Sequence, residues 1–255
     1  MTDPGPVRFS HLRAYGMSGM HGYRARFDPE AQASYAMQRG TAVHALLFET
    51  RKVVGYHAGK NRNGKAYDEF VLAHPNTEIL THEDYIKAQR MADAVRASKL
   101  AQPWLQGIVE KTIFFRWNGM DCRSTPDVRG PDFVTELKTS ATSHPARFQW
   151  HALKMCYHAQ LRMESIAAGF VNGYAAGDGV EHHHIVAVES TPPYPVTVFV
   201  VAPRALEIGE KMLMLWSETL KVCEASKQFP PYSQTVVELD VPDDEPDYVF
   251  PEAEE

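Results

Sequence analysis

The dipeptide Asn118-Gly119 lies between two runs rich in β-branched and aromatic residues. Both residue types tolerate the positive φ of a two-residue hairpin turn, so antiparallel strands are predicted over 108–117 and 120–128. A second turn, Arg129-Gly130-Pro131-Asp132, leads into a third strand, Phe133 to Thr139. Around this meander the apolar period becomes helical. Asp28-Pro29-Glu30 reads as a helix start, and Met37, Thr41, His44, Leu47 and Phe48 share one face of the helix predicted over 31–49. Thr81-His82-Glu83-Asp84, similar to a capping box, opens a helix to about Ser98, closed by Pro103. Pro145 opens a long helical stretch to about Gly169; strands follow at 185–190 and 196–202, and a last helix runs from Pro203 to about Lys227. Residues 1–28 are weakly patterned, and 51–80 read as loop with short strands, exposed at 59–65. The order α, β, β, β, α, β, β, α predicts an α/β fold with a mixed sheet flanked by helices.

Several classes of protein are excluded. No run of 18 apolar residues is present, so no membrane helix is expected, and Met1 to Ser10 lacks the apolar core of a signal peptide. Cys122, Cys156 and Cys223 are far apart, with no CxxC pair for a zinc ribbon or a four-cysteine iron–sulfur cluster; unpaired thiols fit a reducing cytosol. Neither G-x-S-x-G nor G-x-x-x-x-G-K-[ST] occurs, which removes the common serine-hydrolase and P-loop signatures. His182-His183-His184 invites a transition-metal reading, but neighbouring strand residues alternate faces. At most His182 and His184 converge, and a surface or edge-strand role is the simpler expectation.

The chemistry concentrates on the third strand, Val134-Thr135-Glu136-Leu137-Lys138-Thr139. Alternation puts Glu136 and Lys138 on one face. If Pro131-Asp132 is a two-residue hairpin loop, Asp127 lies directly opposite Glu136, with side chains about 5 Å apart. Two carboxylates that close call for a neutralising hard cation such as Mg²⁺, and Lys138 beside it can orient a water or offset charge on a phosphoryl transition state. An edge strand carrying a solvated Glu–Lys pair is the bland alternative for such a match.

Pro126-Asp127 … Glu136-Leu137-Lys138, in this element order, resembles the PD-(D/E)XK nuclease superfamily with its restriction-endonuclease-like αβββαβ core. Further motifs are similar to the RecB-like and RecE-like (exonuclease VIII) branch. The G-x-x-x-H motif stands as Gly40-Thr41-Ala42-Val43-His44 on the helix before the sheet. Gly40 lies one turn from His44 on the same face, where a missing side chain lets the helix approach the sheet. The start of a Q-x-x-x-Y motif stands as Tyr157-His158-Ala159-Gln160, but Glu164 occupies the place of the tyrosine. Phe9-Ser10-His11-Leu12 looks like the short N-terminal segment of RecE-like phage proteins. The resemblance covers roughly Phe9 to Gly169; the chain is read as a single nuclease domain over 1–230, and composition marks 231–255 as an acidic, Pro-rich tail expected to be disordered. The resemblance implies a Mg²⁺-dependent exodeoxyribonuclease that digests linear double-stranded DNA from the 5′ end and leaves 3′ single strands for phage-type recombination. His44, Asp127, Glu136 and the Leu137 carbonyl would hold two Mg²⁺ ions, for which Mn²⁺ can substitute. Lys138 would position the attacking water, and Gln160 would orient the site. Implied partners are DNA ends, a single-strand annealing protein and further copies of the chain, in the cytoplasm of a bacterial or phage-infected cell. Two alternatives stay open: another nuclease of the superfamily (an endonuclease or a CRISPR-adaptation-like enzyme), or a non-catalytic DNA-binding recombination module.

For DNA contacts, Arg24, Arg26 and Arg39 flank the G-x-x-x-H helix and could meet a 5′ phosphate, and Lys60, Arg62 and Lys65 could track the backbone. The formal charge of −6 argues against nucleic acid only until it is located: nine of the 32 acidic residues lie in 238–255, which holds no Lys or Arg. The rest of the chain has 23 acidic against 26 basic residues, a mildly basic body whose acidic tail could compete with DNA.

Overall fold

A computed structural model describes residues 4–28, 35–57 and 62–239. The start of the predicted helix at 29–34, Lys60 and the acidic tail from Asp240 onward lie outside the described residues. In chain order the elements are α1 (Phe9–Met17), α2 (Gly19–Phe27), α3 (Tyr35–Phe48), β1 (Val53–Tyr56), α4 (Lys65–Ala73), β2 (Glu78–Thr81) and α5 (His82–Ala97). A 3₁₀ turn (Gln102–Leu105) precedes β3 (Ile108–Val109), β4 (Ile113–Trp117), β5 (Met120–Ser124), β6 (Val128–Arg129) and β7 (Phe133–Ser140). Then follow α6 (Pro145–Lys154), α7 (Tyr157–Val171), β8 (His182–Glu189), β9 (Val196–Val200) and α8 (Pro203–Ser226).

The central sheet has the order β3-β6-β7-β8-β9. Only the β7–β8 pair is parallel, so the sheet is mixed, and helices cover both faces, as expected for this α/β class. The 133–140 strand is the hub. Alternation sends Leu137 to a core with Val43, Met91, Val95, Val186 and Val188 under α3 and α5. It sends Val134 to the opposite core with Phe148, Leu161, Ile185 and Ala187 under α6 and α7. A third core joins the β4–β5 hairpin to α1, α7 and α8 through Leu12, Tyr15, Phe115, Met163, Leu213 and Trp216.

The Asn118-Gly119 turn forms as expected, with φ of 47° and 75° and Trp117 paired to Met120. The strands on either side are shorter than predicted. Glu110 takes a φ of 43° and breaks 108–117 into β3 and β4. Pro126, which has no N–H to give a ladder, divides β5 from β6. The β4–β5 ribbon therefore stands apart from the central sheet, and only its two outer stubs join it. The long helix from Pro145 also breaks, at Cys156 in the left-handed conformation (φ 59°), giving α6 and α7.

Three further departures concern the flanks. Residues 1–28 hold two nine-residue helices; Ser18 caps the second by accepting from the His21 N–H. Residues 51–80 contain α4 and a parallel β1–β2 pair as well as loop. The strand β8 starts at His182, three residues early, and runs inside the sheet rather than at its edge. His183 bonds the Ser165 hydroxyl at 2.7 Å and His184 stacks on Trp104 at 3.6 Å. Burial pushes both imidazoles down to about 4, so they are neutral interior groups facing opposite ways.

Candidate active site

The β6–β7 register is the one a two-residue Pro131-Asp132 loop requires: Val128 pairs Thr135 and Arg129 pairs Val134. Asp127, one step before β6, consequently reaches β7 at the level of Glu136 and Leu137. Its Oδ2 accepts from the Leu137 N–H at 2.7 Å, and its backbone carbonyl accepts from the Glu110 N–H at 3.0 Å. The loop conformation at Glu110 thus brings a second acidic side chain alongside Asp127.

From the other side α3 delivers His44. A Cβ on Gly40 would come within 3.1 Å of the Thr139 hydroxyl, so the missing side chain sets how closely α3 lies against β7. The His44 Nδ1 is 3.1 Å from Asp127 Oδ1, and its Nε2 is 3.1 Å from the Leu137 carbonyl. Burial opposes charge on this imidazole, but the Asp127 carboxylate, helped by Glu136, outweighs it and holds the ring's pKa above its ordinary value. Both ring nitrogens thus face oxygen acceptors, Asp127 on one side and the Leu137 carbonyl on the other. Burial likewise opposes charge on Asp127, and His44, Lys138 and the Leu137 N–H together hold its pKa below the usual carboxylate range.

Single donor atoms of His44, Glu110 and Asp127 all lie within 4.8 Å of one another. Imidazole nitrogen, two carboxylates and the nearby Leu137 carbonyl form a donor set that suits a divalent cation. The structure thus brings three of the four expected ligands together, and adds Glu110. That residue escaped the sequence reading; its one signal is Glu110-Lys111, a charged interruption of the apolar run 108–117.

Glu136 belongs to a neighbouring group built on α7. Its Oε2 accepts from the Lys138 ammonium and, at 2.8 Å, from the Gln160 amide. Gln160 also donates to Glu164 Oε1 at 2.8 Å and accepts from Lys138 at 3.3 Å. Burial and the Asp127 charge push Glu136 up, against the pull of Lys138. Glu164, buried and with Oε2 unpartnered, is pushed well above the carboxylate range by burial and by Glu136. Burial disfavours the Lys138 charge, but Glu136 and Asp127 more than compensate and keep it an ammonium. Its Nζ lies 4.7 Å from the Tyr157 ring centroid, which fixes the side chain further. Lys138 therefore carries a fixed positive charge and hydrogen-bond donors beside Glu136.

The arginines named for DNA are placed differently. Arg26 points inward, in an ion pair with Glu224 at 2.5 Å, and so is not available to a phosphate. Arg39 bonds Asp84 at 3.0 Å beside Thr81. Arg24 is exposed on α2. Arg62 covers the Tyr35 ring and donates to the Ile79 carbonyl, and Lys65 is exposed near Glu69.

A mixed sheet with a carboxylate–His cluster at one strand junction and an E-x-K pair beside it defines the PDDEXK-like nuclease fold. The chain belongs to the family described as PDDEXK-like domain of unknown function (DUF3799), whose profile matches residues 9–238. It is similar in structure to a protein of Eubacterium rectale described as a "putative exonuclease", with a TM-score of 0.66 and 13% sequence identity, covering 94% of this chain and 91% of that one. No curated protein matches the sequence. No helix among the described residues is long and apolar enough to cross a membrane.

Proposed function

We propose that this protein is a metal-dependent exodeoxyribonuclease that degrades linear double-stranded DNA from 5′ ends and leaves 3′ single strands for phage-type recombination. The observation that carries the reading is the convergence, at one strand junction, of His44, Glu110 and Asp127 with the Glu136–Lys138 pair. The structurally similar E. rectale protein carries the description "putative exonuclease".

His44, Asp127, Glu110 and the Leu137 carbonyl would hold a Mg²⁺ or Mn²⁺ ion, and Glu136 would complete the arrangement for a second. Such an ion, when bound, supplies Lewis-acid polarisation of the phosphate and a water of lowered pKa. The chain's own residues do the remaining work. The Leu137 N–H fixes the Asp127 carboxylate. Gln160 hydrogen-bonds both Glu136 and Lys138, so the ammonium is presented to the reacting phosphate without searching rotamers. Lys138 donates to a water or to phosphate oxygens as charge develops there. We place the catalytic unit in residues 1–230, in the cytoplasm of a bacterial or phage-infected cell, working as a homo-oligomer beside a single-strand annealing protein.

The test is digestion of end-labelled linear duplex with Mg²⁺, comparing 5′-phosphate with 5′-hydroxyl ends and linear with closed circular DNA. Wild type should release label from 5′ ends of linear DNA and spare the circle, and Lys138→Ala should be inactive. Equal, metal-independent degradation by both proteins would overturn the nuclease reading; cutting of the closed circle would reassign it to an endonuclease.

A further inference from the structure

Beside the Glu136 group, between α1, β5 and the start of α7, lies an open cleft of about 750 Å³. Gln160, which holds Glu136, and Glu164, which Gln160 also bonds, line it on that side. Its outer wall carries three guanidinium groups, Arg8 and Arg13 on or beside α1 and Arg123 on β5. Among the described residues none of the three is paired with a carboxylate.

The cluster is short of acceptors. Arg8 directs its Nε at His11 Nε2 (3.2 Å), while Arg26 directs Nη1 at His11 Nδ1 (3.3 Å). Burial, reinforced by Arg8, Arg26 and Arg123, pushes this imidazole down to about 4, so it is neutral and accepts at only one nitrogen. Burial and the charges of Arg123 and Arg26 also lower the pKa of Arg8. Cations gathered at a cleft mouth without counter-charges are a demand for an anion. The rest of the lining says which kind. Ser10 and Thr125 add hydroxyl donors, and Phe9, Met155 and Tyr157 add an apolar and aromatic wall. Guanidinium and hydroxyl groups suit a phosphate; a flat apolar wall beside them suits a sugar and base. The volume falls in the range of pockets that enclose a ligand of that size.

We propose that this cleft seats the nucleotide next to the scissile phosphate, with Arg8, Arg13 and Arg123 holding its phosphate, so that the DNA strand reaches the site across α1 and β5 rather than across α2 and α3. The inference rests on the nuclease reading for the identity of the strand. It is favoured over the α2–α3 route because two of the three arginines there, Arg26 and Arg39, already pair with Glu224 and Asp84.

The experiment measures binding of a short blunt DNA duplex to the full-length protein by fluorescence anisotropy in EDTA, where no cleavage occurs. Arg13→Glu/Arg123→Glu is compared with wild type and with Arg204→Glu, a single charge reversal at an exposed position of α8. Arg13→Lys/Arg123→Lys keeps the charge, and a thermal melt of each variant checks folding. The double glutamate variant should bind at least about tenfold more weakly, with a salt slope reduced by roughly one per lost phosphate contact. Arg204→Glu should stay within about threefold of wild type, and the lysine variant should recover most of the affinity. Equal binding by a folded double glutamate variant and Arg204→Glu overturns the proposal. Cleavage scored separately in Mg²⁺ keeps the two readings apart: an inactive wild type that still binds through the cleft sinks only the nuclease assignment.

Discussion

The two halves of the candidate site solve the same electrostatic problem in opposite ways. In the His44–Glu110–Asp127 half, acidic groups gather around one imidazole, with each side chain 12–24% exposed. In the Glu136–Lys138–Gln160–Glu164 half, the carboxylate is sealed, with its side chain 4% exposed, and is already satisfied by an ammonium and an amide. The first half is built to receive positive charge, the second to hold a positive charge in place. Metal affinity should therefore reside mainly in the first and turnover mainly in the second.

The largest effect that tests this division comes from Lys138→Ala. Cleavage of linear duplex should fall by about 10²–10³ or more, the cost of losing a charge-stabilising donor, while calorimetric binding of Mn²⁺ changes little. Loss of metal binding along with activity would merge the two halves. Glu110→Gln should weaken Mn²⁺ binding by about 10–100-fold and lose activity that excess metal restores. A variant with unaltered affinity would remove Glu110 from the ligand set. Gln160→Ala should lower the turnover number by about tenfold with the metal affinity retained, because it orients rather than ligates.

Smaller effects come from the titrating groups. Glu164 has a folded-state pKa raised well above its ordinary value, so the folded chain keeps a proton that the unfolded chain releases. Stability from this group is therefore intact in acid and declines as pH rises past about 4.5. In EDTA, Glu164→Gln should raise the melting temperature at about pH 8 and do little at about pH 4. His183 behaves in the opposite sense. Its folded pKa is pushed down to about 4, so its contribution is complete above about 6.5 and is lost as pH falls through that interval. His183→Gln should flatten the acid limb of a melting-temperature profile by a few degrees and leave activity untouched.

Much of this was legible in the sequence, and the reasons differ by region. The β6–β7 register follows from one short turn, since loop length fixes which residues face each other, and Asp127 and Glu136 fall into place with it. The closeness of α3 follows from Gly40. Glu110 was not legible because its position depends on a single positive φ, which a glutamate does not announce. The α1–α2 pair was missed because both helices are short and rich in Gly and Met, and are held by docking on α8 rather than by an amphipathic pattern. Arg8, Arg13 and Arg123 are scattered in sequence, and only that docking gathers them. Cys156 gives no composition signal for the left-handed break between α6 and α7, yet that break aims Tyr157 and Gln160 at Lys138.

The detachment of the β4–β5 ribbon has a consequence for how such a protein can change. The ribbon is rooted in the core of α1, α7 and α8, whereas Asp127 and Glu136 stand on the central sheet with His44 on α3 against it, and residues 110–112 and 125–127 are the covalent bridges between them. Side chains on the ribbon and α1 can be exchanged without repacking the strands that carry the acidic residues. In the proposed arrangement the wall that would meet a substrate is thus separate from the strands that would act on it, and the first can be remodelled in the laboratory while the second is left alone.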